Sequence, residues 1–445
     1  MDHGINFANY LSVEICNFTQ KFTCRLSRPQ QKNFRELVRG MVVTGSVYLS
    51  AIAKSCSTAN NARKDVERLS NTLNKIPVME FTQIHIENQA LKYKNEPVLI
   101  LSDGGDFQKP YAKKMENVCG ASDGSNAHRA GRGYLLQSLV AHGTETGITT
   151  PLAMYLFSTK SEDYKSDWQE HKKIFCMLDS FVNRTARDRI VVEDRGCDDE
   201  KRFVYFVNEL NSSFITRIHA GVKARGLAVV GQDGEREIHS VCKLAEDMRG
   251  RAESERTWHN HKIKKDITSK IAFRQVFLPK HENIPLYVIF VYSEGYKEPL
   301  TVLTDLRTVN PEQAWKHFYY YKKRWEVENF YRAVKQNFSA EKFLILRFRK
   351  IQAMAFLLMA VFSLAVKITG KMNDCPGSMR YFFRDFCKKE QRKGSHHLDF
   401  LAFIREYLPL TPDEKSYRSW LMRMTKKGFE MNRNQLKMFD WRKNW

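Results

Sequence analysis

Residues 97–105, Pro97-Val98-Leu99-Ile100-Leu101-Ser102-Asp103-Gly104-Gly105, decide the fold class. A short apolar run with β character meets a serine, an acid and two glycines, the pattern of a buried strand ending in a turn. Toward the C-terminus, residues 134–141 and 150–157 read as two further strands, joined by the polar segment 142–147. Residues 164–181 read as a helix. Arg189-Ile190-Val191-Val192-Glu193 reads as a strand ending at Asp194-Arg195-Gly196, residues 201–210 as a helix, and residues 213–219 as a strand. Three adjacent strands followed by alternation predict an α/β fold, a mixed sheet with helices on its faces.

Ribonuclease-H-like domains have this order of elements, and residues 91–219 are expected to be the first part of such a core. Residues 1–90 read as mainly helical, with apolar residues at helical spacing over 33–49 and 62–73 and Ile76-Pro77 closing the second segment. That region is either a small DNA-binding domain or a scaffold cap. Past residue 219, a turn at Gly231-Gln232-Asp233-Gly234 and strands over 272–278, 286–292 and 300–306 predict a β-rich insertion spanning 220–305. It carries the basic stretch His259-Asn260-His261-Lys262-Ile263-Lys264-Lys265, either a solvated charge run or a DNA contact. Helices return at Pro311, giving the last part of the core over 306–370 and a helical C-terminal region over 371–445.

The charge balance names the class of partner. Seventy-two Lys and Arg against 50 Asp and Glu leave a formal charge of +22, spread along the chain, and such a protein suits a polyanion, most often nucleic acid. The 42% hydrophobic content excludes a disordered chain. Nine Cys without a C-x-x-C pair argue against a zinc site. Their odd number, with no basic-then-apolar leader after Met1, fits a reducing cytoplasm. The apolar run 353–366 is shorter than the roughly 20 residues that cross a bilayer, so it reads as a buried core helix and no membrane is expected.

Three carboxylates stand out. Asp103 and Asp194 each end a predicted strand beside glycine, where a substrate can approach the sheet rim. A lone Asp in such a turn is commonly a turn former; two at equivalent strand ends weaken that reading. Asp106 is a nearby rival for Asp103, which is preferred because it sits at the strand end. The third acid lies on a helix predicted over 321–336. On its wheel Tyr321, Arg324, Glu328, Arg332 and Lys335 share one narrow face beside an apolar face of Val327, Phe330, Tyr331 and Val334. By itself that face could equally be a solvated stripe of i,i+4 ion pairs.

The run from Tyr321 to Lys335 resembles the Y-x2-R-x3-E-x6-K signature of the insertion-sequence-4 family of transposases, with Tyr321, Arg324, Glu328 and Lys335 all at the right spacing. Residues 190–196 resemble the family's second-acid strand, which commonly ends in Asp-Arg-Gly, and residues 98–103 its first-acid strand, with Lys109-Pro110 following. Gly104-Gly105 depart from the Thr or Ser often found after the first acid. The resemblance implies catalytic, metal-binding acids Asp103, Asp194 and Glu328. It also implies two Mg²⁺ or Mn²⁺ ions, cleavage at transposon ends with strand transfer into target DNA, and a synaptic homodimer. It gives Tyr321, Arg324 and Lys335 contacts to DNA. Arg332, Lys262, Lys264 and Lys265 are further candidates, and Trp258 is either a base-stacking or an ordinary core tryptophan. A ribonuclease-H-like nuclease that cuts without joining, and a catalytically silent DNA-binding descendant, are the alternatives.

Overall fold

The computed structural model describes residues 7–370 apart from 57–61, 94, 123–129, 180–188, 222–223, 232, 253 and 261–264. The expected C-terminal helices over 371–445 lie outside the described residues. The helices are α1 (Phe7–Gln20), α2 (Arg28–Thr44), α3 (Leu49–Cys56), α4 (Ala62–Leu73), α5 (Val78–Ala90), α6 (Asp167–Phe175), α7 (Glu200–Val204), α8 (Val241–Arg249), α9 (Pro311–Lys322), α10 (Trp325–Phe338) and α11 (Phe348–Gly370). The strands are β1 (Val98–Gln108), β2 (Cys119–Ser122), β3 (Ala130–Gly143), β4 (Thr149–Phe157), β5 (Arg189–Glu193), β6 (Ser213–Arg217), β7 (Gly226–Val230), β8 (Arg236–Ser240), β9 (Ser254–Asn260), β10 (Lys265–Leu278), β11 (His281–Ser293) and β12 (Leu300–Thr304).

All twelve strands belong to one sheet. Its main path runs β2-β3-β1-β5-β6-β12-β11-β10-β7-β8, with β4 added to β3 and β9 to β10. The run β4-β3-β1-β5-β6 is antiparallel at its first two contacts and parallel at its last two. This is the ribonuclease-H-like arrangement, and the fold is mixed α/β with helices on both faces. Strand β5 is buried along its whole length, as a central parallel strand must be.

The sheet buries two separate cores. Leu99, Leu101, Ile190 and Val192 face one, filled by Trp315, Phe318, Val327, Phe330 and α11. Val98, Ile100 and Val191 face the other, with Phe175, Phe203 and Phe206 from the α6–α7 side. Strand alternation thus decides which residues of β1 and β5 look toward α9 and α10.

Two expectations are corrected. The helix predicted over 33–49 is two helices, because Gly45 takes a left-handed conformation (φ 59°) that ends α2. The β-rich stretch expected over 220–305 holds β7 to β12, all of them in the one sheet. Strand β12 bonds antiparallel to β6, covering an edge that would otherwise lie open, and β11, β10, β7 and β8 extend the same sheet. Strand β1 does not end at Leu101: it runs beside β3 to Gln108, which places Asp103 within the strand. The apolar run 353–366 is a buried helix as expected. Although α11 is long and apolar enough to cross a membrane by composition, it is largely enclosed by the protein. Phe356 packs there against Phe22 and Phe81 of the N-terminal helices.

Candidate active site

Parallel pairing of β1 with β5 stops at Leu101 and Val192. The next residues are Ser102 and Glu193, and beyond them Asp103 and Asp194. Asp103 is the point where β1 still pairs with β3 but has lost β5 as a neighbour. Both aspartates turn toward α9 and α10, and there a single side chain joins them. The Arg324 guanidinium lies 3.6 Å from Asp103 Oδ2, 3.9 Å from Asp194 Oδ2 and 2.8 Å from Glu328 Oε1. Three acids from distant parts of the chain therefore meet around one cation. Asp106 is not among them.

The predicted helix over 321–336 is interrupted at Lys323 and Arg324. Backbone bonds there run from Lys323 N–H to Tyr320 O, Arg324 N–H to Tyr321 O, Glu326 N–H to Lys323 O and Val327 N–H to Arg324 O. This is a tight i→i−3 pattern, and the single wheel is corrected to two helices. Tyr321 lies in the last turn of α9 and its hydroxyl donates to Asp194 Oδ1 at 2.8 Å. Arg324, 5% exposed, opens α10 and turns inward. Tyr331, on α10, donates its hydroxyl to the backbone carbonyl of Asp103 at 2.9 Å. Gly105 leaves room for that ring, since a Cβ there would lie 2.9 Å from Tyr331 Cζ.

The electrostatics are those of a site short of positive charge. Burial pushes the Asp103 carboxyl up to about 7; Arg324 opposes the rise, and Glu328 and Asp194 add to it. Asp194 goes the other way. Burial again disfavours its ionised form, but the Arg195 backbone N–H, Arg324 and the Tyr321 hydroxyl outweigh burial and hold it below the usual range. Burial and Asp194 raise the Tyr321 hydroxyl to about 12, so it stays a donor. The donor set is all carboxylate oxygen, which suits a hard divalent cation. Among the described residues no three acidic, imidazole or thiol groups are gathered as a ready-made metal cage; the guanidinium stands where the acids converge.

Directly behind the acids lies a buried polar network that the sequence reading missed. Ser102 and Glu193 face the opposite side of the sheet, where Ser102 Oγ donates to Glu193 Oε1 at 2.9 Å and Gln137 Nε2 to Ser102 Oγ at 2.8 Å. Arg202 of α7 grips both Glu193 oxygens, with Nε to Oε2 at 2.9 Å and Nη2 to Oε1. A glutamate closing a strand whose three preceding residues are apolar was the available signal, because a buried acid demands a partner.

The other predicted contacts scatter. Lys335 is paired with Asp106 at 3.3 Å and Glu341 at 3.1 Å, beside the three acids rather than among them. Arg332 is exposed, with Nη1 donating to Asn329 Oδ1 at 3.3 Å. Trp258 is partly buried against Trp315 and Phe318, with the Lys322 ammonium 4.6 Å from its ring centre. Lys265 is exposed and pairs with Asn260 where β9 and β10 meet. Lys262 and Lys264 lie outside the described residues.

With this geometry in place, comparison with known proteins is informative over one segment. Residues 282–364 match a family model described as "Transposase DDE domain". The matched segment holds β12, α9 and α10, and with them Tyr321, Arg324, Glu328 and Lys335. No curated protein matches. Among solved structures, the chain is similar to the NurA nuclease from Sulfolobus solfataricus at 11% identity, covering 57% of this chain and 84% of that one. The TM-score of 0.22 gives that likeness no weight.

Proposed function

We propose that this protein is a metal-dependent DNA transposase of the insertion-sequence-4 kind, cutting transposon ends and joining them to target DNA. The observation that carries the reading is the meeting of Asp103, Asp194 and Glu328 at Arg324, and the transposase model over residues 282–364 supports it. Asp103, Asp194 and Glu328 would hold Mg²⁺ or Mn²⁺. Such ions would supply Lewis-acid activation of a water or 3′-hydroxyl and stabilisation of the leaving oxygen. Tyr321 fixes the Asp194 carboxylate through its hydrogen bond, and Tyr331 fixes the Asp103 backbone. Arg324, Arg332, Lys335, Lys262, Lys264 and Lys265 supply positive charge for DNA phosphates. A homodimer would bring two DNA ends together, in the bacterial cytoplasm.

The test is a DNA assay in Mg²⁺ using a linear fragment that carries the sequences flanking the protein's own gene. Cleavage and joined products are expected from the wild type and neither from Asp194→Asn. Cleavage without joining of a pre-cleaved 3′-hydroxyl end would leave a nuclease on the same fold. No metal-dependent reaction with DNA would overturn the proposal.

A further inference from the structure

The geometry points to Arg324 as an internal counter-ion that competes with the divalent metal for the same three carboxylates and becomes available to a DNA phosphate once displaced. This rests on the metal-site reading above. Three features of the chain support it. First, among the described residues Arg324 is the one cation ion-paired with Asp103, Asp194 and Glu328 together, so a divalent ion drawn to those acids would contend with it. Second, its fit is imperfect. Only Glu328 is at hydrogen-bond distance, and Arg324 Nε is buried without a hydrogen-bond partner. A buried donor left unmade favours departure of the group that carries it. Third, there is a short way out. Arg324 is held at a break between α9 and α10, and its guanidinium carbon lies 5.5 Å from the ring centre of Trp325, which is 47% exposed. A rotation of the side chain past Trp325 moves the charge from the acids toward the surface.

One guanidinium against three carboxylates also explains how the acids can stand together without metal. Arg324 keeps them assembled, and its release ties loss of the resting arrangement to arrival of cation and DNA.

The experiment is Mn²⁺ binding to the full chain without DNA at pH 7.5, measured by electron paramagnetic resonance of free Mn²⁺, for wild type, Asp194→Asn and Arg324→Gln. Wild type is expected to bind, Asp194→Asn to lose that binding, and Arg324→Gln to bind at least about tenfold more tightly. Equal or weaker binding by Arg324→Gln, with Asp194→Asn still defective, overturns the counter-ion role and leaves the metal site standing. Binding that is absent in wild type, or unchanged by Asp194→Asn, overturns both. Should Arg324→Gln fail to fold, tryptophan fluorescence of the wild type decides. Mn²⁺ is expected to give a change that Trp325→Phe removes, and Mn²⁺ binding with no Trp325-dependent change overturns the inference.

Discussion

Replacing Glu193 by Leu is expected to cost about 3–5 kcal/mol of stability, because it strands a buried arginine. Glu193 is fully buried and the Arg202 side chain is 6% exposed, and the two share a bidentate pair. With Glu193 gone, Arg202 keeps His171 Nδ1 at 3.1 Å and the rings of Trp168, Phe175 and Phe206 at 4.7, 5.7 and 6.0 Å, none of which carries the missing negative charge, while Asp199 acts on it as a charge without a hydrogen bond. Ser102 also loses its acceptor, and a buried hydroxyl without one adds on the order of 1 kcal/mol. Arg202→Met should cost a similar 3–5 kcal/mol by leaving Glu193 unpaired beneath Asp194. The double variant, Glu193→Leu with Arg202→Met, removes both charges and fills the space with apolar groups. Its cost should fall far below the sum, to about 0–2 kcal/mol. Urea unfolding followed by tryptophan fluorescence measures all three. The double variant should still cut DNA more slowly, by up to about 10²-fold, since the bridge that spaces Asp103 from Asp194 is gone. Either single variant costing under about 1 kcal/mol, or a double variant equal to the sum, would refute the argument.

Gly105→Ala should lose about 1–3 kcal/mol through overpacking and slow DNA cleavage, since the new Cβ meets Tyr331 at 2.9 Å and loosens its bond to the Asp103 carbonyl; an unchanged unfolding midpoint speaks against that contact. Tyr331→Phe keeps the ring and removes the hydroxyl, so a smaller loss of about 1 kcal/mol is expected in the same assay. Burial holds the His85 ring at a pKa of about 4 against its ordinary 6.5. Between those values the unfolded chain takes up a proton that the folded chain refuses. His85 should therefore contribute a loss of about 3 kcal/mol as pH falls from about 6.5 to about 4, with buried His171 and His317 adding in the same direction, and His85→Gln should make that slope shallower. An unaltered slope in pH-dependent melting would rule His85 out.

Strand β5 was legible residue for residue, Arg189–Glu193. Five consecutive buried residues flanked by Asp194-Arg195-Gly196 carry their own signal. Strand β1 was read short, because Ser102 to Asp106 has the composition of a turn. Its continuation depends on β3, whose Leu135 to Leu139 stand opposite that stretch. Gly104 and Gly105 are thus strand residues, and Gly105 admits Tyr331. The break between α9 and α10 was hidden because neither Gly nor Pro marks it and apolar spacing continues through it; what turns the chain is the placing of Arg324 against acids that are remote in sequence. The joining of β12 to β6 is likewise a non-local pairing with no local trace. That Asp103, Asp194 and Glu328 would be found around Arg324 could be anticipated from motif spacing, whereas the pairing of Lys335 with Asp106 and Glu341 came only from the folded arrangement.

The most direct measurement is the rate of Mg²⁺-dependent DNA cleavage by purified wild type beside Asp103→Asn, Asp194→Asn and Glu328→Gln, each checked for an unchanged fold by circular dichroism. If the three carboxylates act as one centre, each single change should slow the reaction by at least about 10²–10³-fold, and pairs of changes should do little more. Wild-type cleavage by any one of the three would contradict the account.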